Sequence, residues 1–261
     1  MSMPIIVESG NLSAAWAAAF LASWRHGEIQ PLVVTVTGLN AGIPQEDQAI
    51  RSALDISLVE RGGGSCKTVA NTIFPMPLWN PDAPASQLYR RYLRFAPRLM
   101  HSNSRNRYGM YFQRMISFGD PSMNQLEHVI ETWKKGNHRR SALQVSIMDP
   151  TRDHTHQRQR GFPCLQHVIF TPDAKGGLAI SGVYGTQEIF EKAYGNYLGL
   201  CNLGRYMAHE LGLELTRMTC FAAVAKLHGN GRKRDLALLA EMLDTRSADL
   251  QADQKMPLSV G

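Results

Sequence analysis

Two alternating apolar segments, Leu143 to Ile147 and Leu165 to Phe170, constrain this chain more than any other feature. A period of two lets a strand bury one face and wet the other, so two such runs predict neighbouring strands. Chemistry stands ahead of each. Arg139-Arg140 lies just past a Lys-Gly-Asn turn before the first run, and Cys164 follows Pro163 directly before the second. An ionised thiol is a nucleophile, and paired guanidinium groups match the oxygens of a phosphate. A nucleophile candidate at one strand's start and an anion clamp before its neighbour is a site layout. The structural alternatives are a buried core thiol for Cys164 and a solvated helix C-terminus for the arginine pair.

The surrounding pattern interleaves helices and strands. Ser122 to Gly136 reads as a helix, with a capping box at Ser122-Met-Asn-Gln125, one apolar face (Leu126, Val129, Ile130, Trp133) and a glycine stop. Earlier, Leu12 to Trp24 and Glu46 to Glu60 have helical spacing, with the strand-like run Pro31 to Thr37 between them. Gln87 to Leu99 reads as a helix bent near Pro97. Later, Leu178 to Tyr184 and Met218 to Lys226 read as strands. Helical sequence resumes from Gln187, Leu203 to Leu213 makes another helix, and Arg232 to Leu243 is a terminal amphipathic one. Thr245 to Gly261 is a polar tail. No repeat, low-complexity tract or linker divides the chain, so residues 1–261 are expected to form a single α+β domain, a mixed sheet flanked by helices.

The formal net charge of +6 admits an anionic partner: nucleotide phosphate, nucleic acid or an acidic cofactor tail. Arginines crowd 90–107, where they either touch phosphates or form a solvated face. The run Arg61-Gly62-Gly63-Gly64-Ser65-Cys66-Lys67-Thr68 either brings backbone N–H groups to a phosphate or is a flexible turn. It lacks the spacing of a Walker A loop. His154 and His156 invite a metal, but the sequence places no third ligand, so none is expected. The four cysteines form no CxxC pair and no disulfide framework, which fits reduced thiols in the cytoplasm. The apolar run Ala14 to Trp24 is too short to span a bilayer, and no membrane or targeting segment is expected.

Taken in order, these pieces resemble the central block of thymidylate synthases and pyrimidine nucleotide hydroxymethylases. The likeness rests on Gln125-Leu-Glu-His-Val-Ile130, Trp133 to Ser141 with Arg139-Arg140, Val145-Ser-Ile-Met-Asp-Pro150 and Pro163-Cys164. Arg107-Tyr108-Gly109 with Gln113-Arg114 lies upstream, and Tyr197-Leu-Gly-Leu-Cys-Asn202-Leu203 downstream. It covers about residues 107 to 227; residues 1–100 are diverged apart from Arg61-Gly62, which resembles the family's phosphate loop. The resemblance implies a thymidylate-synthase-like fold paired sheet to sheet as a homodimer. It implies a Cys164 adduct at C6 of a pyrimidine nucleotide, methyl or hydroxymethyl transfer to C5, and 5,10-methylenetetrahydrofolate as donor. It gives Arg61, Arg139 and Arg140 to the phosphate, with the Arg139-Arg140 pair reaching a partner subunit's site. It gives Asn202 to a uracil-type base; a helix cap ahead of Leu203 is that residue's other reading.

Some positions depart from the family pattern. Leu165 follows the nucleophile where the family has His, and Tyr184-Gly185-Thr186-Gln187 lacks an arginine that the family uses on phosphate and thiol. An insertion of about seven residues comes next. The stretch 83–107 has no glutamate, and Ala223 to Leu227 replaces a sugar-binding motif. Glu188, Glu191 and His167 are the candidates for a replacement acid or base. Two further readings follow: a diverged enzyme working on an unusual nucleotide without folate, and a non-catalytic nucleotide- or nucleic-acid-binding protein.

Overall fold

The computed structural model describes residues 4–102, 110–119, 121–156, 163–227 and 236–255, with backbone only for 102 and 247–255. Arg105, Arg107, Tyr108, Gly109, Arg158 and Arg160 lie outside the described residues.

A six-stranded mixed sheet carries the fold. Its strands are β1 (Ile5–Ser9), β2 (Leu32–Val36), β5 (Gln144–Ser146), β6 (Leu165–Pro172), β7 (Gly177–Glu188) and β8 (Glu214–Lys226), in the order β1-β2-β8-β7-β6-β5. The pairs β1·β2 and β7·β8 are parallel; the others are antiparallel. A separate hairpin, β3 (Leu39–Asn40) with β4 (Ile43–Pro44), turns through Ala41 and Gly42, both at positive φ. The expected strands are therefore present, and Met218 to Lys226 proves to be the end of a long central strand.

Cross-strand register sorts the two faces. Leu32, Ala222, Tyr184 and Leu165 fall in one row, and all are buried. The neighbouring row is Ile6, Val33, Phe221, Val183, His167 and Ser146, every member exposed or half-buried. Helices cover the first face. Helix α1 (Leu12–His26), capped by the Asn11 side chain, packs on β1 and β2. Helix α8 (Tyr194–Leu211) lies on β7 and β8, and α3 (Cys66–Ile73) lies on α8. The second face keeps Ile6 at 77% and Phe221 at 37% exposure.

Where β7 meets α8 the chain makes a wide π-helical turn, Ile189–Ala193, a form common at functional sites. Polar contacts fix it from several sides. The Trp16 indole N–H donates to the Ile189 carbonyl at 2.8 Å, and the Tyr194 hydroxyl meets Ser13 Oγ at 2.8 Å and Glu46 at 2.5 Å. Arg51 ties Glu46 to Asp55 within α2 (Gln48–Glu60) and its approach. Finally α9 (Ala237–Lys255) sends Arg246 to Asp47 at 2.8 Å, and the helix continues through the polar residues to Lys255. Its amphipathic sequence was expected to stop being helical near Leu243; the Asp47 contact gives the extra turns something to hold.

Other helices follow expectation with shifted ends. Helix α4 (Ala85–Ser102) contains Pro97 and buries Leu88, Tyr89, Tyr92 and Ala96. Helix α6 (Gln125–Lys135) is capped by Asn124, whose side chain accepts from the Glu127 amide. Ser122, the expected cap, instead pairs with Ser117 Oγ at 2.8 Å.

Candidate functional site

Cys164 stands at the head of β6. Its carbonyl accepts the Gly185 amide at 3.0 Å, which joins it to β7 one residue beyond the Leu165·Tyr184 pair. It is the one cysteine exposed to solvent; Cys66, Cys201 and Cys220 are buried. Burial pushes those three thiols up, Cys220 to about 12, so they serve packing. Although Cys164 is exposed as a residue, enough protein surrounds its sulfur for desolvation to raise its pKa too. Glu188 adds to the rise, while Lys226 and Lys192 oppose it. Register pairs Glu188 with Lys226, and Lys192 belongs to the turn that follows Glu188. Glu188, Lys226 and Lys192 therefore act on the Cys164 sulfur through their charge from the end of β7 and β8 and the turn that follows.

Arg61 joins this turn from outside. It ends α2, and its guanidinium lies over the Phe190 ring at 5.7 Å. The glycines after it lead to Ser65, the N-cap of α3. Residue 66 begins that helix, with its amide donated to Asp55 at 2.8 Å.

Arg139 and Arg140 are exposed, ahead of edge strand β5. They are at the other end of β6 from Cys164, because Leu143 bonds Phe170 and Ser146 pairs with His167. At about 3.3 Å per residue, that is roughly 20 Å along the strand. The structure does not bring these arginines to the thiol of their own chain.

Asn202 is half-buried inside α8 and caps nothing. By helical spacing it shares a face with Gly195 and Gly199, which press on α3. The other asparagine of this helix is Asn196. It is 5% exposed, in the first turn of α8.

His167 is occupied elsewhere. Its Nε2 meets Gln144 Oε1 at 2.7 Å and its Nδ1 meets Ser146 Oγ at 3.5 Å, on the open sheet face. Burial lowers its pKa. Arg114, within α5 (Tyr111–Ile116), is buried and grips Asp153 at 2.6 and 2.8 Å, with a further bond to the Ile147 carbonyl. It therefore braces the end of β5 and is not available to a ligand as a lone cation. His154 and His156 are exposed, and no metal-binding group of three or more His, Cys, Asp or Glu occurs among the described residues. Nor is any described helix long and apolar enough to cross a membrane.

No known family model matches the chain. Among curated proteins it is similar to a putative thymidylate synthase of Methanopyrus kandleri, 27% identical over 106 residues, which is 41% of this chain. The chain spans about half of that relative's length, 49%.

Proposed function

We propose that this chain is a thymidylate-synthase-like transferase that alkylates C5 of a pyrimidine nucleotide through a covalent bond from Cys164 to C6. The observation that carries the reading is the exposed thiol at the head of β6, with Glu188, Lys192 and Lys226 around it. C5 of a pyrimidine is a poor nucleophile until sulfur adds at C6. The new C–S bond pushes ring electrons toward O4, giving an enolate whose C5 can attack a one-carbon electrophile. For the product to leave, the C5 proton would be lost, the donor's nitrogen would depart from the transferred carbon, water (for hydroxymethyl) or a hydride from the reduced donor (for methyl) would add to that carbon, and the thiolate would be expelled. Glu188, whose charge acts on the sulfur, is the candidate base for that proton. Lys192 and Lys226 favour the thiolate and an anionic substrate together.

The one-carbon donor this reading implies is 5,10-methylenetetrahydrofolate, which supplies carbon at the methylene level. Arg61 and the partner copy's arginine pair take the phosphate. A side-chain amide on α8 reads the base, and the burial of Asn196 favours it over Asn202. The open sheet face, with Ile6 and Phe221 exposed, supports a sheet-to-sheet homodimer.

Tritium release from a C5-labelled pyrimidine nucleotide tests the adduct: release abolished by Cys164→Ala supports it, and no release from any uridine or cytidine nucleotide rejects it. Product masses with and without methylenetetrahydrofolate separate this enzyme from one that works on an unusual nucleotide without folate. A second reading, nucleic-acid binding, draws on the exposed Arg90, Arg94 and Arg98 of α4. Salt-dependent oligonucleotide binding unchanged by Cys164→Ala would favour it.

A further inference from the structure

The turn that carries Arg139 and Arg140 is held at both ends. After α6 the chain reverses through two residues at positive φ, Gly136 at 63° and Asn137 at 47°. Asparagine tolerates this left-handed conformation better than most residues do. The reversal lays His138 back on Trp133, with ring centroids 5.6 Å apart and planes inclined by 59°. Trp133 is itself fixed, because its indole N–H donates at 2.9 Å to the carbonyl of Leu211, the last residue of α8. At the far end, the Leu143 carbonyl takes the Phe170 amide. Between these anchors Arg140–Ala142 forms a single 3-10 turn, and the Ala142 amide donates to the Arg139 carbonyl at 2.9 Å. Both arginines stand exposed on it.

His138 contributes to this frame through its ring. It is half-buried, and its Nδ1 is shut away from solvent with no hydrogen-bond partner among the described residues. A buried nitrogen left unpaired is unfavourable, so the contact between the two rings is what favours the side chain there. We propose that His138 is a positioning residue: packed on Trp133, it holds the Arg139-Arg140 pair in the arrangement that grips a nucleotide phosphate. The inference rests on the phosphate role proposed above for that pair, and it adds how two long side chains on a surface turn act as one clamp. Guanidinium forks match phosphate oxygens only in a defined geometry. A backbone anchored on both sides of them lowers the ordering cost of binding.

Trypsin reads the anchoring directly, since it cuts after arginine and needs the turn to open locally. In the full chain, His138→Ala should be cut after Arg139 and Arg140 about three- to tenfold faster than wild type. Cleavage after the exposed Lys175, between β6 and β7, should not change. His138→Phe keeps a ring and removes the unpaired nitrogen, so it should be cut as slowly as wild type. Tritium release reads the function: His138→Ala should raise the nucleotide KM about three- to tenfold at nearly constant kcat, and His138→Phe should restore it. In mixed dimers the defect should travel with the arginines. Placed in a Cys164→Ala chain that lends its arginines to an Arg139→Ala/Arg140→Ala partner, His138→Ala raises KM; placed in that partner, it does not. Equal cleavage of His138→Ala and wild type overturns the proposal. So does a KM raised as much by Phe as by Ala, which would put the imidazole itself on the ligand. Faster cleavage of His138→Ala without recovery in any mixed dimer would instead remove the shared-site reading and leave His138 as the anchor of the turn.

Discussion

The Leu143 carbonyl accepts the Phe170 amide at 2.9 Å, and that bond fixes which molecule can use Arg139 and Arg140. It anchors β5 to the end of β6 remote from Cys164, so Arg139 and Arg140 can serve the proposed site at the thiol only from a second copy. The expected outcome is complementation in trans. Cys164→Ala and an Arg139→Ala/Arg140→Ala double variant are each inactive, and mixing them under subunit exchange restores about a quarter of wild-type tritium release. No recovery in a mixture proven to contain heterodimers would refute the shared site.

Charge around the sulfur gives a second prediction. Glu188 raises the Cys164 pKa beyond what burial does, and Lys226 and Lys192 lower it. Glu188→Gln should therefore speed iodoacetamide labelling at pH 7, while Lys226→Met and Lys192→Met should slow it several-fold. If Glu188 also takes the C5 proton, Glu188→Gln will lose tritium release in spite of its more reactive thiol. A loss of both would leave Glu188 a merely structural role.

Much of this arrangement was legible in sequence because it depends on local periodicity. The β5 and β6 alternation, the Pro163-Cys164 junction and the apolar face of α6 all stand where their residues put them. What escaped depends on contacts between distant parts. Asn202 comes from the resemblance of Tyr197 to Leu203 to a family segment, and its other reading, a cap, from a helix expected to start at Leu203. Yet β7 continues to Glu188, a wide turn follows, and α8 already starts at Tyr194. Trp16 and Ser13, far away in α1, brace that turn and helix start. The same holds for residues 245–255, where Arg246 finds Asp47, and for the α6 cap, where Asn124 displaced Ser122 by geometry rather than by residue type.

Base choice distinguishes the two amides of α8. An amide satisfies both N3–H and O4 of uracil, whereas a carboxylate at the same place favours cytosine. Asn196→Asp is expected to move tritium release from uridine to cytidine nucleotides, and Asn202→Asp to leave the preference unchanged. The reverse pattern would return the role to Asn202.

Arg114 and Asp153 form a buried pair whose loss is felt in stability. Burial alone would raise the Asp153 pKa, but the Arg114 guanidinium and the Asp149 amide outweigh it and the net shift is downward. A carboxyl depressed below its unfolded value near 3.9 contributes stability above that pH and loses it as pH falls through the folded pKa. Wild-type melting temperature should accordingly drop below about pH 4, and Arg114→Ala should flatten that drop. At neutral pH the same variant leaves Asp153 charged and unpaired, costing about 3–5 kcal/mol by chemical denaturation. A cost under about 1 kcal/mol, the range of surface pairs, would show that the pair is not desolvated.

Gly195 is where packing and chemistry meet. A Cβ there would stand 2.5 Å from Val69 Cβ and 2.7 Å from the Cys66 carbonyl, both on α3. Neither atom is the loose end of a flexible side chain, so Gly195→Ala must push α3 and α8 apart, at a cost of about 1–3 kcal/mol. The displaced segment is the first turn of α8, which holds Asn196 and continues the turn that carries Lys192. Nucleotide affinity is therefore expected to fall with stability. Gly10→Ala, whose Cβ would meet nothing within 4 Å, should change neither. Equal binding by Gly195→Ala and wild type in a thermal-shift titration would disconnect the α3–α8 contact from the site.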